Sequence, residues 1–271
     1  MRQARAYAKI NLALVVGPLR EDGKHEVVTV LQRIDLHDDI ALAPADQLVV
    51  DGFAGDTIVE EALEALAGAA DVQPRWRVRI EKRIPVAAGL GGGSADAAAA
   101  LLLANALVPR SLPSERLHLI AAGLGADVPF FLRAGPQLGT GDGTELVSVE
   151  LPDDFHVVVV VPHGVTKAST AAVYDAFDAR GGDAGFDKRS AAVRQALASI
   201  GAARDLAALP ANDLGASPIA QQLSSLGAFR ADVSGAGPAV YGLFEQRDDA
   251  QQAAAALAAA GRTLVSRPVA R

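Results

Sequence analysis

Apolar and polar residues trace several distinct periods along this chain. Residues 75–83, Arg-Trp-Arg-Val-Arg-Ile-Glu-Lys-Arg, alternate at period two, which predicts a half-buried strand with Trp76, Val78 and Ile80 on one face. Two strand candidates open the chain, at 6–16 and 27–36, with the turn residues Asp22 and Gly23 between them, and 40–50 continues in strand-like fashion. Residues 57–70 carry Glu60, Glu61 and Glu64 among spaced apolar positions and predict a helix. An alanine- and leucine-rich helix is expected to end near Leu107, and a second one to cover 114–124. Pro152, Asp153 and Asp154 mark a boundary, followed by an apolar strand at 155–161 that Pro162 closes. Beyond it the pattern predicts helices near 168–180, 187–208 and 216–227, two strands flanking the loop 234–238, a helix at 247–260 and a last strand at 262–267. Strands and helices mix without regular βαβ alternation, so the expected class is α+β in two lobes, 1–152 and 153–271.

Composition narrows the function. Half of the 271 residues are hydrophobic but only 4% are aromatic, so the core must be built from Ala, Val, Leu and Ile. A formal charge of −7 and the lack of any basic run longer than two residues argue against a nucleic-acid or membrane-surface protein. There is no cysteine, which removes disulfides, thiolate metal sites and a cysteine nucleophile together. The five histidines never fall at HxxxH or HExxH spacing, so a histidine metal site is not expected. The N-terminal apolar run has no cleavage pattern and reads as a strand. The apolar stretch 95–108 contains Asp96 and Asn105 and falls short of the ~20 residues that span a bilayer. The expected location is the cytoplasm.

One segment carries chemistry on its face. Gly89-Leu90-Gly91-Gly92-Gly93-Ser94 lies between a strand and a helix. Without Cβ atoms the backbone takes positive φ and lets a ligand approach its N–H groups. Those groups join the unpaired donors at the helix start, where the macrodipole favours negative charge. Ser94 is expected to cap the helix, with its hydroxyl in reach of a phosphate or Mg²⁺. A flexible turn before a helix explains the same glycines equally well. The run is not a Walker A loop, since no Gly-Lys-Ser/Thr follows, and its spacing is not that of a dinucleotide fingerprint.

The longer run Pro85-Val86-Ala87-Ala88-Gly89-Leu90-Gly91-Gly92-Gly93-Ser94-Ala95-Asp96-Ala97 resembles the phosphate-binding motif of the GHMP kinase superfamily. Three further segments are similar to that family in the correct order. They are Ala8-Lys9-Ile10-Asn11-Leu12, then Leu124-Gly125-Ala126-Asp127-Val128-Pro129-Phe130-Phe131, then Asp232-Val233-Ser234-Gly235-Ala236-Gly237-Pro238. Asn212-Asp213-Leu214 matches a smaller signature, and the likeness covers roughly residues 4 to 245. The resemblance implies a ribosomal-protein-S5-like, ATP-binding N-terminal lobe and a ferredoxin-like C-terminal lobe. It implies ATP as co-substrate, Mg²⁺, a small alcohol as acceptor, and a monomer or homodimer that binds neither nucleic acid nor membrane. The triple glycine looks most like the branch whose acceptor is a cytidine-diphosphate-linked sugar alcohol. Another small alcohol, such as homoserine, mevalonate or a sugar, and a non-catalytic nucleotide-binding relative are the competing readings.

Residue by residue, the resemblance assigns Pro85 and Ala87, then Gly89, Leu90, Gly91, Gly92, Gly93 and Ser94, to ATP, with Ser94 also the candidate metal contact. It implies that Lys9 and Asp127 form the catalytic pair. Asp127 is the expected general base, a carboxylate beside the apolar Val128, Pro129, Phe130 and Phe131; without the motif match an Asp before Val-Pro is a turn or helix cap. Lys9 lies within an apolar strand, where a buried ammonium needs a carboxylate or phosphate; a lysine snorkelling from a strand edge is the plainer explanation. Asn11 shares its face at period two and is the expected substrate contact. His25 matches a family histidine that reads the cytosine ring, and Tyr174 aligns with an aromatic that stacks on it. Gly235 and Gly237 allow close backbone approach to substrate, or simply form a tight turn. At Lys24 the chain departs from its relatives, which carry an aromatic there.

Overall fold

The computed structural model describes residues 1–53, 57–165 and 169–269. The chain divides into two compact units that interleave along the sequence. The first comprises Met1–Ala8, Leu36–Val86 and Gly91–Ala134, and the second Lys9–Asp35, Ala87–Leu90 and Gly135–Arg271. Two long strands, β1 (Arg2–Leu19) and β2 (His25–Pro44), run through both and pair with each other.

In the first unit β4 (Trp76–Glu81) pairs antiparallel with the second half of β2, from Asp39 opposite Glu81 to Pro44 opposite Trp76. Its other edge takes the short parallel strand β3 (Val49–Asp51). Trp76, Val78 and Ile80 are buried and the residues between them exposed, so the period-two reading holds. Helix α1 (Thr57–Ala69) buries Val59, Ala62, Leu63, Leu66 and Ala67 and keeps its three glutamates outside. It packs on α2 (Gly92–Asn105) and α3 (Ser114–Leu124). Small alanine side chains on α2 bury nearly all round and permit that close packing. A 3-10 helix, Pro129–Leu132, closes the unit and packs on α2.

In the second unit the first half of β2 pairs with β5 (Gln137–Thr140), which forms a hairpin with β6 (Glu145–Ser148). A separate antiparallel sheet has the order β10 (Gly261–Ser266), β7 (His156–Pro162), β9 (Val240–Phe244), β8 (Arg230–Val233). Helices α6 (Pro218–Ser225) and α7 (Arg247–Ala256) pack on it, with Val158, Val160, Leu223, Val240 and Phe244 at the centre of the cluster. Helices α4 (Thr170–Ala179) and α5 (Phe186–Ser199) precede them; residue 168, where the sequence pattern starts α4, lies outside the described residues. The architecture is α+β.

The structure departs from the sequence pattern at four points. Residues 27–36 and the run that continues from 40 form one strand, β2, which passes through Asp38, whose buried carboxylate accepts hydrogen bonds from Lys82 and from the Arg83 and Ile84 amides. The run does not reach residue 50 unbroken: β2 ends at Pro44 and β3 starts at Val49. The helix expected over 187–208 stops at Ser199; Asp205 Oδ2 accepts from the Gly201 and Ala202 amides, and a separate 3-10 helix covers Ala203–Ala208. The hairpin β5–β6 had no counterpart in the sequence pattern, although Asp142-Gly143 at its tip is a turn signal. Finally, Ser94 does not cap α2: Gly91 occupies the N-cap position, with no side-chain cap bond, and Ser94 lies in the first turn.

Candidate functional site

The glycine loop is shaped by positive φ at alternate residues, Ala87 (56°), Gly89 (84°) and Gly91 (71°). A non-glycine residue in that region costs roughly 1–2 kcal/mol, a strain that the exposed Ala87 carries just before the clamped residues 88–90. Residues 88–90 are gripped within the second unit. The Ala239 amide donates to Ala88 O (2.9 Å), the Ser234 hydroxyl to Gly89 O (3.0 Å) and the Lys9 amide to Leu90 O (2.9 Å). A Cβ on Gly89 would stand 2.3 Å from Ser234 O and 2.9 Å from Gly237 O, so only glycine fits. In the first unit α2 then begins at Gly92, and the amides of Gly92, Gly93 and Ser94 have no acceptor within the helix. An open helix start of this kind suits an anion. Pro85 stands between the strand end and the loop.

Beneath that helix start lies a cluster that sequence patterning does not reveal. Lys82 Nζ donates to Asp38 Oδ2 and to Asp96 Oδ2, both at 2.6 Å, and both carboxylates are fully buried. The same ammonium stands 5.8 Å from the centre of the Phe53 ring. Burial pushes the Asp96 carboxyl up to about 8 against the opposing pull of Lys82, while Lys82 is raised because its two carboxylate partners outweigh burial. The two carboxylates and the ammonium form one buried, closely coupled cluster. Asp96 inside an otherwise apolar helical stretch was the one available signal.

In the second unit Lys9 and Asn11 are each 3% exposed. Lys9 Nζ donates to Asn11 Oδ1 (2.7 Å), Asn11 Nδ2 to Thr29 Oγ1 (2.9 Å), and Thr29 Oγ1 to Ala13 O (2.8 Å). Gly235 lies against this chain: a Cβ there would be 3.2 Å from Lys9 Nζ and 3.4 Å from Asn11 Oδ1. Its carbonyl accepts from Asn212 Nδ2 (2.7 Å), whose own amide donates to Asp232 Oδ2 (2.8 Å). Gly237 also takes positive φ, and its amide donates to Ser234 O at 2.9 Å. Behind the loop, Arg230 donates to the carbonyls of Leu206, Leu209 and Pro210, to Asp232 and to the Tyr241 hydroxyl. That hydroxyl donates in turn to Asn11 O at 3.0 Å, and burial pushes it up to about 12, so it remains a donor.

His25 is buried, with Nε2 2.8 Å from Asp178 Oδ1. Its ring faces Tyr174 at 4.9 Å with a tilt of 35°, and Phe177 edge-on at 5.9 Å. Lys24 pairs with Asp142 at 2.5 Å, and Asp142 also accepts from the Thr144 hydroxyl and amide. Burial raises the Asp142 carboxyl, but those donors overcome it and hold the group at about 2. Asp127 belongs to the first unit, in the turn between α3 and the 3-10 helix, partly exposed beside the buried Val128, Phe130 and Phe131. The geometry therefore gathers Lys9, Asn11 and Gly235 in one place and His25 with Tyr174 in another, within the same unit. Arg230, Tyr241 and Thr29 were not anticipated; their roles depend on partners remote in sequence.

Two family models match the chain, the GHMP kinases N-terminal domain over residues 57–135 and the GHMP kinases C-terminal domain over 191–263. A protein from Salinispora tropica is 40% identical over 285 residues, covering 95% of this chain and 88% of that protein; it is named 4-diphosphocytidyl-2-C-methyl-D-erythritol kinase. One of the same name from Chlorobium phaeobacteroides is 37% identical, covering 92% and 91%. The crystal structure of a 4-(cytidine 5'-diphospho)-2C-methyl-D-erythritol kinase superposes over the full length of both chains, with a TM-score of 0.81 and 33% identity. A mevalonate kinase from Methanococcus jannaschii shares the fold alone, at 12% identity and a TM-score of 0.75. This chain belongs to the GHMP kinases, ATP-dependent enzymes that phosphorylate small molecules.

Proposed function

We propose that the protein transfers the γ-phosphoryl group of ATP to the 2-hydroxyl of 4-diphosphocytidyl-2-C-methyl-D-erythritol, a step in the non-mevalonate route to isoprenoid precursors. The observation that carries this reading is the glycine loop: its backbone is clamped at 88–90, and the start of α2 that follows has no side-chain cap. Phosphoryl transfer asks the protein mainly for positioning and charge stabilisation. The substrate oxygen forms a bond to the γ-phosphorus, the bond from that phosphorus to the bridging oxygen of ADP breaks, and the hydroxyl proton leaves. In our reading Asp127 takes that proton, Lys9 and Asn11 orient the hydroxyl, and His25 with Tyr174 meets the cytosine. Pro85, Ala87 and residues 89–94 receive the triphosphate.

Mg²⁺ enters with ATP as part of the substrate, and such an ion keeps most of its waters and phosphate oxygens. Among the described residues no group of three or more His, Cys, Asp or Glu forms a metal site, and the Asp96 carboxylate is taken by Lys82. The Ser94 hydroxyl in the first turn of α2 is our candidate for a single protein contact.

ADP release measured with a panel of alcohols tests the reading. Rapid turnover with the diphosphocytidyl substrate alone supports it; turnover with homoserine or mevalonate instead overturns the acceptor. The second reading, another small alcohol, is favoured by Lys24, whose ammonium offers no flat surface to a base and is engaged with Asp142.

A further inference from the structure

The segment from the end of β4 to the start of α2 is held by an ion cluster rather than by packing alone. Asp38 Oδ1 accepts from the Arg83 amide at 2.5 Å and the Ile84 amide at 2.8 Å, so this one carboxylate fixes the backbone just before the loop. Its other oxygen binds Lys82 Nζ, which also reaches Asp96 Oδ2, one turn into α2. A Cβ placed on Gly92 would stand 3.4 Å from Lys82 Nζ and 3.1 Å from Ile84, so the ammonium lies directly under the first helical residue. Burying two carboxylates and an ammonium is a poor way to gain stability, since apolar residues of similar volume often do as well or better. Geometry is what such a cluster secures.

We propose that Lys82, braced by Asp38 and Asp96, is the positioning residue of the nucleotide loop. It ties the strand that enters the loop to the helix that leaves it, and so fixes the direction of the first amides of α2. The inference rests on the reading that those amides receive the triphosphate. A bracing role makes a demand that simple stabilisation does not: the tie must contain an oxygen acceptor at position 96.

Asp96→Leu removes the acceptor while keeping the branched side-chain shape, and leaves Lys82 its partner Asp38. Asp96→Asn keeps an acceptor. The measurements are calorimetric MgATP binding, KM and kcat for both substrates, and thermal unfolding. Asp96→Leu is expected to weaken MgATP binding tenfold or more. KM for ATP rises in parallel, while kcat at saturating ATP stays within a factor of about three and KM for the alcohol holds. Asp96→Asn recovers most of the lost affinity. If Asp96→Leu fails to fold, the double variant Lys82→Met/Asp96→Leu, which leaves Asp38 bound to its two amides, is expected to show the same ATP-specific loss. Wild-type protein that binds MgATP, with either leucine variant binding it equally well, overturns the bracing role alone. Wild-type protein that binds no MgATP overturns the reading beneath it as well.

Discussion

Gly89→Ala tests the loop at the point where geometry is least forgiving. The new methyl group would stand 2.3 Å from Ser234 O and 2.9 Å from Gly237 O, and both are backbone atoms that cannot rotate away. The residue also holds φ at 84°, which costs a non-glycine side chain roughly 1–2 kcal/mol. Forcing a methyl into closed packing adds about 1–3 kcal/mol, for a total of about 2–5 kcal/mol. For a chain of this size each kcal/mol lowers the unfolding midpoint by roughly 2–4 °C, so a fall of about 10 °C is expected. Gly123→Ala is the control, since Gly123 is exposed within α3 and a Cβ there meets nothing within 4 Å. That change is expected to gain up to about 1 kcal/mol. Scanning calorimetry reads both, and titration with MgATP shows whether the distorted loop also loses nucleotide. A Gly89→Ala protein that unfolds at the wild-type temperature and binds ATP unchanged would refute the close packing and its role in one experiment.

Other consequences can be checked independently. Asp127→Asn and Lys9→Ala are expected to lower kcat by about 10²–10⁴ with ATP affinity nearly intact; retention of more than about a tenth of kcat in single-turnover assays counts against these roles. The depressed Asp142 carboxyl adds stability above its unfolded value near 3.8, and this is lost as pH falls through about 2. Because Lys24 is half exposed, solvent screening limits the effect to about 1 kcal/mol. The urea-unfolding difference between wild type and Asp142→Asn is therefore expected at pH 6 and nearly absent near pH 2. Arg230→Met strands three carbonyls and Asp232, at about 3–5 kcal/mol, whereas Arg204→Met at the exposed pair with Glu245 costs less than about 1 kcal/mol. Thermal melts that rank the two in the reverse order would contradict the network around Arg230.

What could be read from the sequence was governed by locality. The alternation at 75–83, the spacing of α1 and the strand-glycine-helix order of the loop all act over a few residues, and each is found in the structure. Interactions between remote residues were invisible. Asp38 lies 44 residues from Lys82, so nothing beside it in the sequence announces the buried ion cluster. Ser94 looked like a cap because serine favours that position, yet Gly91, with φ at 71°, begins the helix earlier. The strands β5 and β6 are four residues each, too short to establish a period. Within the site, Lys9 and Asn11 could be placed on one face from the pleat alone. Their ties to Thr29 and Tyr241, 18 and 230 residues away from Asn11, could not.

The inner strand β7 carries five consecutive valines between His156 and Pro162. With β9 and β10 along its two edges, the first four valines, Val157 to Val160, are fully buried. Both covering strands lie more than seventy residues downstream, so a ribosome releases this sticky stretch long before its neighbours exist. Short, uncharged, β-branched runs are the kind that self-associate into fibrils, and Pro162 at the end of the run is a natural gatekeeper. Solubility on overexpression should thus depend on how quickly the C-terminal strands arrive, and Pro162→Val should drive the protein into inclusion bodies without changing its native contacts.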